Sequence, residues 1–327
     1  MKIILVTPAP AQVHTGNRTT ADRWAWLLRE LGHQVVVQQD WNGESCDLLI
    51  ALHARRSFPA IQRFREQRPR APLILALTGT DIYRDLNQSA EASRSLDMAT
   101  KIVVLQELAL EAIPEGSRAK ARAIYQSAEG PGASLPREES CFQVCVLAHL
   151  RAVKDPLRAA YAVRDLPASS RIIVKHAGAV LAPEFQEQVQ AEQSTNPRYR
   201  WLGPLAHSEA MNLLARSHLL VLTSRLEGGA NVLSEAIALN VPVISSRIPG
   251  SLGILGKDYL GYFPAGDSAA LRQLLQRAES DERFYQDLQQ RVAALRPLVS
   301  TTREREAWAA LLAELSRETP LDTLSPS

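Results

Sequence analysis

Apolar residues are gathered along the chain into short continuous runs, each bounded by polar residues and followed by a stretch with the spacing of a helix face. In the first part the runs are KIILVT (2–7), HQVVVQ (33–38), DLLIAL (47–52), PLILAL (72–77), KIVVL (101–105) and RAIY (122–125). Unbroken apolar runs of this length are what strands buried on both faces require. Between the first two, Trp24, Leu27, Leu28 and Leu31 make a helical stripe, and Gly32 is placed to stop that helix. The stretch QSAEGPGASLPREES (126–140), rich in Gly, Pro, Ser and charge, reads as a linker. The pattern then restarts with FQVCVLA (142–148), RIIVKHAG (171–178), YRWLG (199–203), HLLVL (218–222) and VPVIS (241–245). Strands alternating with helices predict an α/β protein of two parallel-sheet domains, with a cleft between their carboxyl edges.

The length agrees, since 327 residues exceed one ordinary core and suggest two domains of roughly 150 residues each. The boundaries expected are an N-terminal domain over 1–132, a C-terminal domain over 133–300, and a closing segment over 301–327. That segment opens with TTREREAWAALLAEL, in which Thr301 and Glu304 have capping-box spacing and Trp308, Leu311, Leu312 and Leu315 form a stripe. The helix is expected to return to the N-terminal domain, and TPLDTLSPS to form a loose tail.

Composition narrows the function classes. A formal charge of +2, from 37 basic and 35 acidic residues, supplies no polycation for nucleic acid and no strong pull toward anionic membrane. No apolar run approaches the roughly 20 residues of a membrane span, and MKIILVTPAPAQ is broken by proline too early for a signal peptide, so a soluble, cytoplasmic protein is expected. Three cysteines make no disulfide framework, and Cys141 and Cys145 read as small core residues.

The densest chemistry lies in SRLEGGANVLSEAIALNVP (224–242). An apolar run precedes it; Ala230 and Asn231 can open a helix whose Val232, Ala236 and Leu239 share one face, and Asn240 stands where a helix tolerates a left-handed residue. In such a strand, loop and helix unit, ligands gather beyond the strand's carboxyl end, at the loop amides and helix N-terminus. Glu227 belongs to the loop, and Glu235, about one turn into the helix, can point to the same mouth. HLRAVKDP (149–156) follows the first strand of the second half, so Arg151 and Lys154 face that mouth as two cations able to hold a diphosphate; the bland reading is a surface charge pair. GSLGILGKD (250–258) imitates a phosphate loop but misses its spacing and reads as a turn-rich loop. No G-x-G-x-x-G follows the first strand, and no D-x-D, H-E-x-x-H or G-x-S-x-G occurs.

Glu227 and Glu235, with AIALNVPVISS after them and YRWLG, HLLVLTS, PGSLG and GYFPAGDSAAL in order around them, resemble the signature of the retaining family-4 glycosyltransferases of GT-B fold. The resemblance implies two Rossmann-like domains facing across a cleft. It further implies that Glu227 contacts the donor sugar, Glu235 the nucleotide ribose, and the backbone of Gly228, Gly229, Ala230, Asn231 and Val232, with Arg225, the diphosphate. Lys154 matches the family's lysine, whereas His149 stands at its usual arginine, so Arg151 is the substitute. More narrowly, TPAPAQVHTGNRTTADRWAWLLRELGH, ALHARRS, LTGTDIYRDL, IYQS, HLRAVKDP, NPRYRWLG and EGGANVLSEA together resemble the selenosugar synthases of selenoneine biosynthesis, nearly end to end. Members of that group join the sugar of a UDP-sugar, of the UDP-GlcNAc or UDP-glucose type, to selenium delivered as selenophosphate.

What the narrower resemblance implies is a UDP-sugar as co-substrate, no metal and no other cofactor, selenophosphate as acceptor, and other enzymes of selenoneine biosynthesis as partners. An anionic selenium nucleophile needs no general base but does need cations, because two anions must meet. Acceptor-binding candidates at the carboxyl ends of the first-half strands are the cations Arg18, Arg55, Arg56 and Arg84, with Gly16, Asn17 and Thr80 beside them; each arginine alone reads more often as a solvated surface residue. His53 or Asp81 could assist water in releasing phosphate from selenium, and a core or capping role suits either as well. Two rivals remain from the sequence: a retaining glycosyltransferase acting on a hydroxyl acceptor, and a non-catalytic UDP-sugar sensor.

Overall fold

The computed structural model describes residues 1–10, 16–130, 135–137 and 139–318. The expected boundary at 132/133, part of the linker, the start of the HTGNRTT segment and the tail from 319 lie outside the described residues.

The first unit, Met1–Gln126 joined by the chain from Thr301, runs β1 (Lys2–Val6), α1 (Gly16–Glu30), β2 (Gln34–Gln38), β3 (Leu48–Leu52), α2 (Phe58–Gln67), β4 (Leu73–Leu77), α3 (Ala90–Met98), β5 (Lys101–Val104), α4 (Glu115–Arg118) and β6 (Ala121–Ala123). The second, Ser127–Ser300, runs β7 (Phe142–Leu147), α5 (Arg158–Val163), β8 (Ile172–Ala177), α6 (Glu184–Thr195), β9 (Tyr199–Trp201), α7 (His207–Ala215), β10 (Leu219–Leu222), α8 (Asn231–Ala238), β11 (Val243–Ser246), α9 (Pro249–Leu255), β12 (Tyr262–Phe263), α10 (Ser268–Ser280) and α11 (Glu282–Ala294). The final helix, α12 (Thr301–Glu318), belongs to the first unit. The fold is α/β, with two six-stranded, wholly parallel sheets, as GT-B proteins have.

Strand order in the first sheet is β2-β1-β3-β4-β5-β6, and in the second β12-β11-β10-β7-β8-β9. Each order reverses direction once, between β1 and β3 and between β7 and β10. At such a switch point the loops leave the strand ends to opposite sides and open a crevice at the carboxyl edge.

Period-two alternation divides the first unit's core. Ile4, Val6, Leu49, Ala51, Leu73 and Leu75 pack on the α2 and α3 face with Phe64 and Leu96. Ile3, Leu5, Leu48, Ile50 and Ile74 pack on the opposite face with Trp24, Trp308 and Leu311. The rings of Trp24 and Trp308 meet edge to face at 4.8 Å, and both are fully buried. Trp24 Nε1 donates to Glu304 Oε1 at 2.7 Å, so the glutamate that the capping-box spacing singles out ties α12 to α1. α1 stops at the expected glycine: Gly32 has φ +82, and Asn240 likewise adopts φ 54 beyond α8.

One expectation fails. The segment that reads as a turn-rich loop contains helix α9, opened by Pro249 in its first turn and closed at Gly256, whose φ is +88. Its glycines suggested a loop, but Gly250 serves a close approach: a Cβ there would lie 2.2 Å from the Glu227 carbonyl oxygen. Strand β12, only two residues long, gives too short a run to read as a strand.

Candidate functional site

The second unit's switch point brings together the two segments that carry the charged residues. Leu219 and Leu220 of β10 pair in parallel with Val144 and Cys145 of β7, so the loops leaving these strands emerge side by side. Arg225 N donates to Val153 O at 2.8 Å and Thr223 Oγ1 to Lys154 O at 2.8 Å, which lock the two loops in register. Lys154 Nζ then reaches Glu227 Oε1 at 2.5 Å. Ser224, fully buried, donates its hydroxyl to the same oxygen at 2.6 Å. Oε1 is therefore engaged twice from within the protein, which orients the carboxylate and turns Oε2 to other donors.

Arg151 leads into a 3-10 turn over Ala152–Lys154 and is half-buried. Asp155 follows in a left-handed conformation, φ 45, rare for a residue with a side chain. Its carboxylate pairs with Arg158 at 3.0 Å and with Arg225 at 3.4 Å, so Arg225, whose side chain is 58 % exposed, is drawn over the same loop. His149 Nδ1 accepts from Ala179 N at 3.1 Å. Beneath it His176 is fully buried between Tyr199 Oη at 2.7 Å and Ala148 O at 2.8 Å, and burial pushes its pKa down to about 4.

Gly228 and Gly229 are buried in the loop; Ala230 occupies the N-cap of α8 and brings no capping side chain; Asn231 and Val232 begin the helix. The N-terminus of α8 thus follows the glycine loop with no cap from the Ala230 side chain, and a helix N-terminus suits an anion. Glu235, one turn in, is mostly buried, and His207 Nδ1 at the start of α7 stands 4.0 Å from its Oε1.

In the first unit the chosen residues sit after β1, β3 and β4, which are neighbours in the sheet. Gly16, Asn17 and Arg18 begin α1; Asn17 Oδ1 accepts from Thr78 Oγ1 at 2.9 Å, and Arg18 pairs with Asp22 at 2.8 Å. Arg55 and Arg84 hold the two oxygens of Asp85 at 3.0 and 3.2 Å, and Arg84 also reaches Thr80 Oγ1 at 3.3 Å. Burial alone would raise the Asp85 carboxyl, but hydrogen bonds from Arg55 and Arg84 hold it below the usual carboxylate range. Arg56 is exposed. Asp81 is fully buried and accepts from Ala54 N at 3.0 Å and Gly79 N at 2.8 Å, the geometry of a brace between two loops. His53 is buried with φ 74; its Nδ1 lies 3.9 Å from Asp81 and its Nε2 3.8 Å from Asp85. Burial, aided by Arg56 and Arg55, outweighs the two carboxylates and lowers its pKa, so the ring is neutral near pH 7.

Ser224, Thr223, Asp155, Asp85 and His207 were not singled out from the sequence. Ser224, Thr223, Asp155 and Asp85 lie inside quoted stretches, where a polar residue beside a candidate is the available signal. Among the described residues no group of three or more His, Cys, Asp or Glu side chains could hold a metal ion, and no helix is long and apolar enough to cross a membrane.

Residues 133–294 match the model of the family described as "Glycosyl transferases group 1". A curated relative, Glycosyltransferase 1 domain-containing protein 1 of Xenopus tropicalis, is 26% identical over 287 residues, 80% of this chain and 83% of that protein. Among solved structures, Anabaena Alr3699/HepE in complex with UDP and glucose superposes with a TM-score of 0.75 at 16% identity, covering 96% of this chain and 100% of that one. Sucrose-phosphate synthase from Thermosynechococcus elongatus gives a TM-score of 0.73 at 16% identity, over 97% and 98% of the two chains. At such identities the structural likeness speaks to the fold.

Proposed function

We propose that this chain, whose residues 133–294 match the model of the group 1 glycosyl transferases, is a UDP-sugar-dependent transferase that forms a carbon-selenium bond. The sugar of UDP-glucose or UDP-GlcNAc passes to selenophosphate, giving a 1-selenosugar, UDP and phosphate, as a step in selenoneine biosynthesis. The single observation that carries the donor half is the Lys154 and Glu227 pair at the switch point, 2.5 Å apart. A solved neighbour, Anabaena Alr3699/HepE, holds UDP-glucose, which supports this donor class. The acceptor half is supported by the ordered sequence similarity to selenosugar synthases and by the arginines after β3 and β4.

In this reading Glu227 accepts from the sugar hydroxyls through Oε2, and Glu235 accepts from the ribose. Arg151, Lys154, Arg225 and the backbone of Gly228 to Val232 hold the diphosphate. Selenium attacks the anomeric carbon as the bond to the UDP oxygen breaks, and the leaving diphosphate is stabilised by those cations and amides, an electrostatic role of about 3 kcal/mol per donor. Attack from the face the leaving group departs retains configuration, so no carboxylate nucleophile is needed. Water then cleaves the phosphorus-selenium bond. His53 or Asp81, which lie 3.9 Å apart, assists that water.

The test is direct. Purified protein is incubated with a UDP-sugar and selenophosphate, and products are examined by mass spectrometry for the selenium isotope pattern on a hexose or N-acetylhexosamine. Wild type should form the selenosugar and Glu227→Ala should not. UDP release only with sugar or lipid hydroxyl acceptors would end the selenium reading and leave an ordinary glycosyltransferase.

A further inference from the structure

The arginines after the first unit's strands are not equivalent. Arg18 is answered by Asp22, and Arg55 and Arg84 share Asp85. Arg56 is exposed, and among the described residues its guanidinium has neither an ion pair nor a side-chain hydrogen bond. It lines a pocket of about 260 Å³ together with Pro8 after β1, Gln39 and Asp40 after β2, and Ser57 and Pro59 at the start of α2. We propose that this pocket is a binding site for a small tetrahedral oxyanion, with Arg56 as the residue that selects it; if the proposed function holds, the ligand is the phosphoryl end of selenophosphate.

The lining decides the ligand class. Among the described residues Asp40 is the one carboxylate lining the pocket; its Oδ1 takes both Arg63 and the Trp41 N–H, the latter at 2.9 Å, and the Arg63 guanidinium offsets its charge. With Arg63 offsetting Asp40, Arg56 stays as the uncompensated charge of the lining. Ser57 spends its hydrogen on Leu52 O at 2.6 Å, and Pro59 has no N–H, so the start of α2 adds little. Recognition falls to the guanidinium of Arg56, whose planar fork matches a phosphoryl group, and to the Gln39 amide. The volume is far beyond that of one water yet below the roughly 300–1,000 Å³ of pockets for drug-sized ligands, which suits a small anion.

The proposal is tested on the full chain without donor, by titrating inorganic phosphate and thiophosphate calorimetrically at constant ionic strength. Wild type should bind both. Arg56→Gln should bind at least about tenfold more weakly, as loss of a charged hydrogen bond requires. Arg70→Gln, the same charge change before the amino end of β4, should bind as wild type. Absence of phosphate binding by wild type, equal binding by Arg56→Gln, or uptake of methyl glucoside in place of phosphate would overturn the site. Turnover separates this from the function itself. Arg56→Gln should raise the KM for selenophosphate at least about tenfold with the KM for UDP-sugar unchanged. Selenosugar formed by Arg56→Gln at unchanged KM overturns the pocket and leaves the function standing; Arg56-dependent phosphate binding with no selenosugar does the reverse.

Discussion

Lys154 Nζ and Glu227 Oε1 meet at 2.5 Å, although they lie on loops leaving strands that are neighbours only because the sheet order reverses between them. Removing either partner leaves a mostly buried charge unanswered, so the two substitutions should not be equivalent to losing the pair together. Glu227→Gln should lower kcat/KM for the UDP-sugar by about 10–100-fold, the worth of hydrogen bonds to a charged acceptor. Lys154→Met should weaken UDP itself by a similar factor. Steady-state kinetics and UDP titration of both single variants and the double variant check this, and strict additivity would contradict a working pair.

Ser224 is a positioning residue for Glu227, and its test needs a readout that simple destabilisation would not move. Ser224→Ala removes the 2.6 Å hydrogen bond on Oε1 from a fully buried hydroxyl. UDP affinity should stay near wild type while UDP-sugar affinity and kcat fall about tenfold, and Ser224→Thr should recover part of both. Equal loss for UDP and UDP-sugar would assign Ser224 to the fold alone.

Gly250→Ala probes the same carboxylate from behind. The added Cβ would sit 2.2 Å from the Glu227 carbonyl oxygen, so either α9 or the glycine loop must move. Thermal or urea unfolding should show a loss of about 1–3 kcal/mol, the usual cost of overpacking, and activity should fall more than stability explains.

The strands were legible in the sequence because both sheets are buried on two faces, which forces unbroken apolar runs, and the stop at Gly32 and the turn at Asn240 were legible because few residues tolerate φ above zero. Helix α9 was not, since a glycine chosen to let two backbones approach looks identical in sequence to one chosen to let a chain turn. That Lys154 and Glu227 lie at one mouth could be read from their places after apolar runs, and the structure brings the two side chains together. Ser224 could not be ranked above other serines until the backbone set its hydroxyl against Oε1. Nor does the sequence reveal that Arg55 and Arg84 spend their charge on Asp85, which alters which arginine remains for a ligand.

His176 gives a pH signature. Its pKa is pushed down to about 4 by burial, against 6.5 for the free group, so the unfolded chain takes up a proton between those values and the folded one does not. The sign follows: stability is full above pH 6.5 and declines as pH falls toward 4, by a few kcal/mol for this one group. In His176→Gln that contribution is absent. Unfolding free energies measured by urea at several pH values should therefore show the gap between wild type and variant narrowing on acidification. A gap independent of pH would mean that His176 is not held neutral.

The reaction itself is read most directly by following one sample of wild-type protein, UDP-glucose and selenophosphate by ³¹P NMR. UDP and inorganic phosphate should grow in equal amounts as the UDP-glucose and selenophosphate signals decline together, and omitting selenophosphate should stop UDP release. UDP appearing without consumption of selenophosphate, or selenophosphate persisting beside a turned-over hydroxyl acceptor, would contradict selenium transfer.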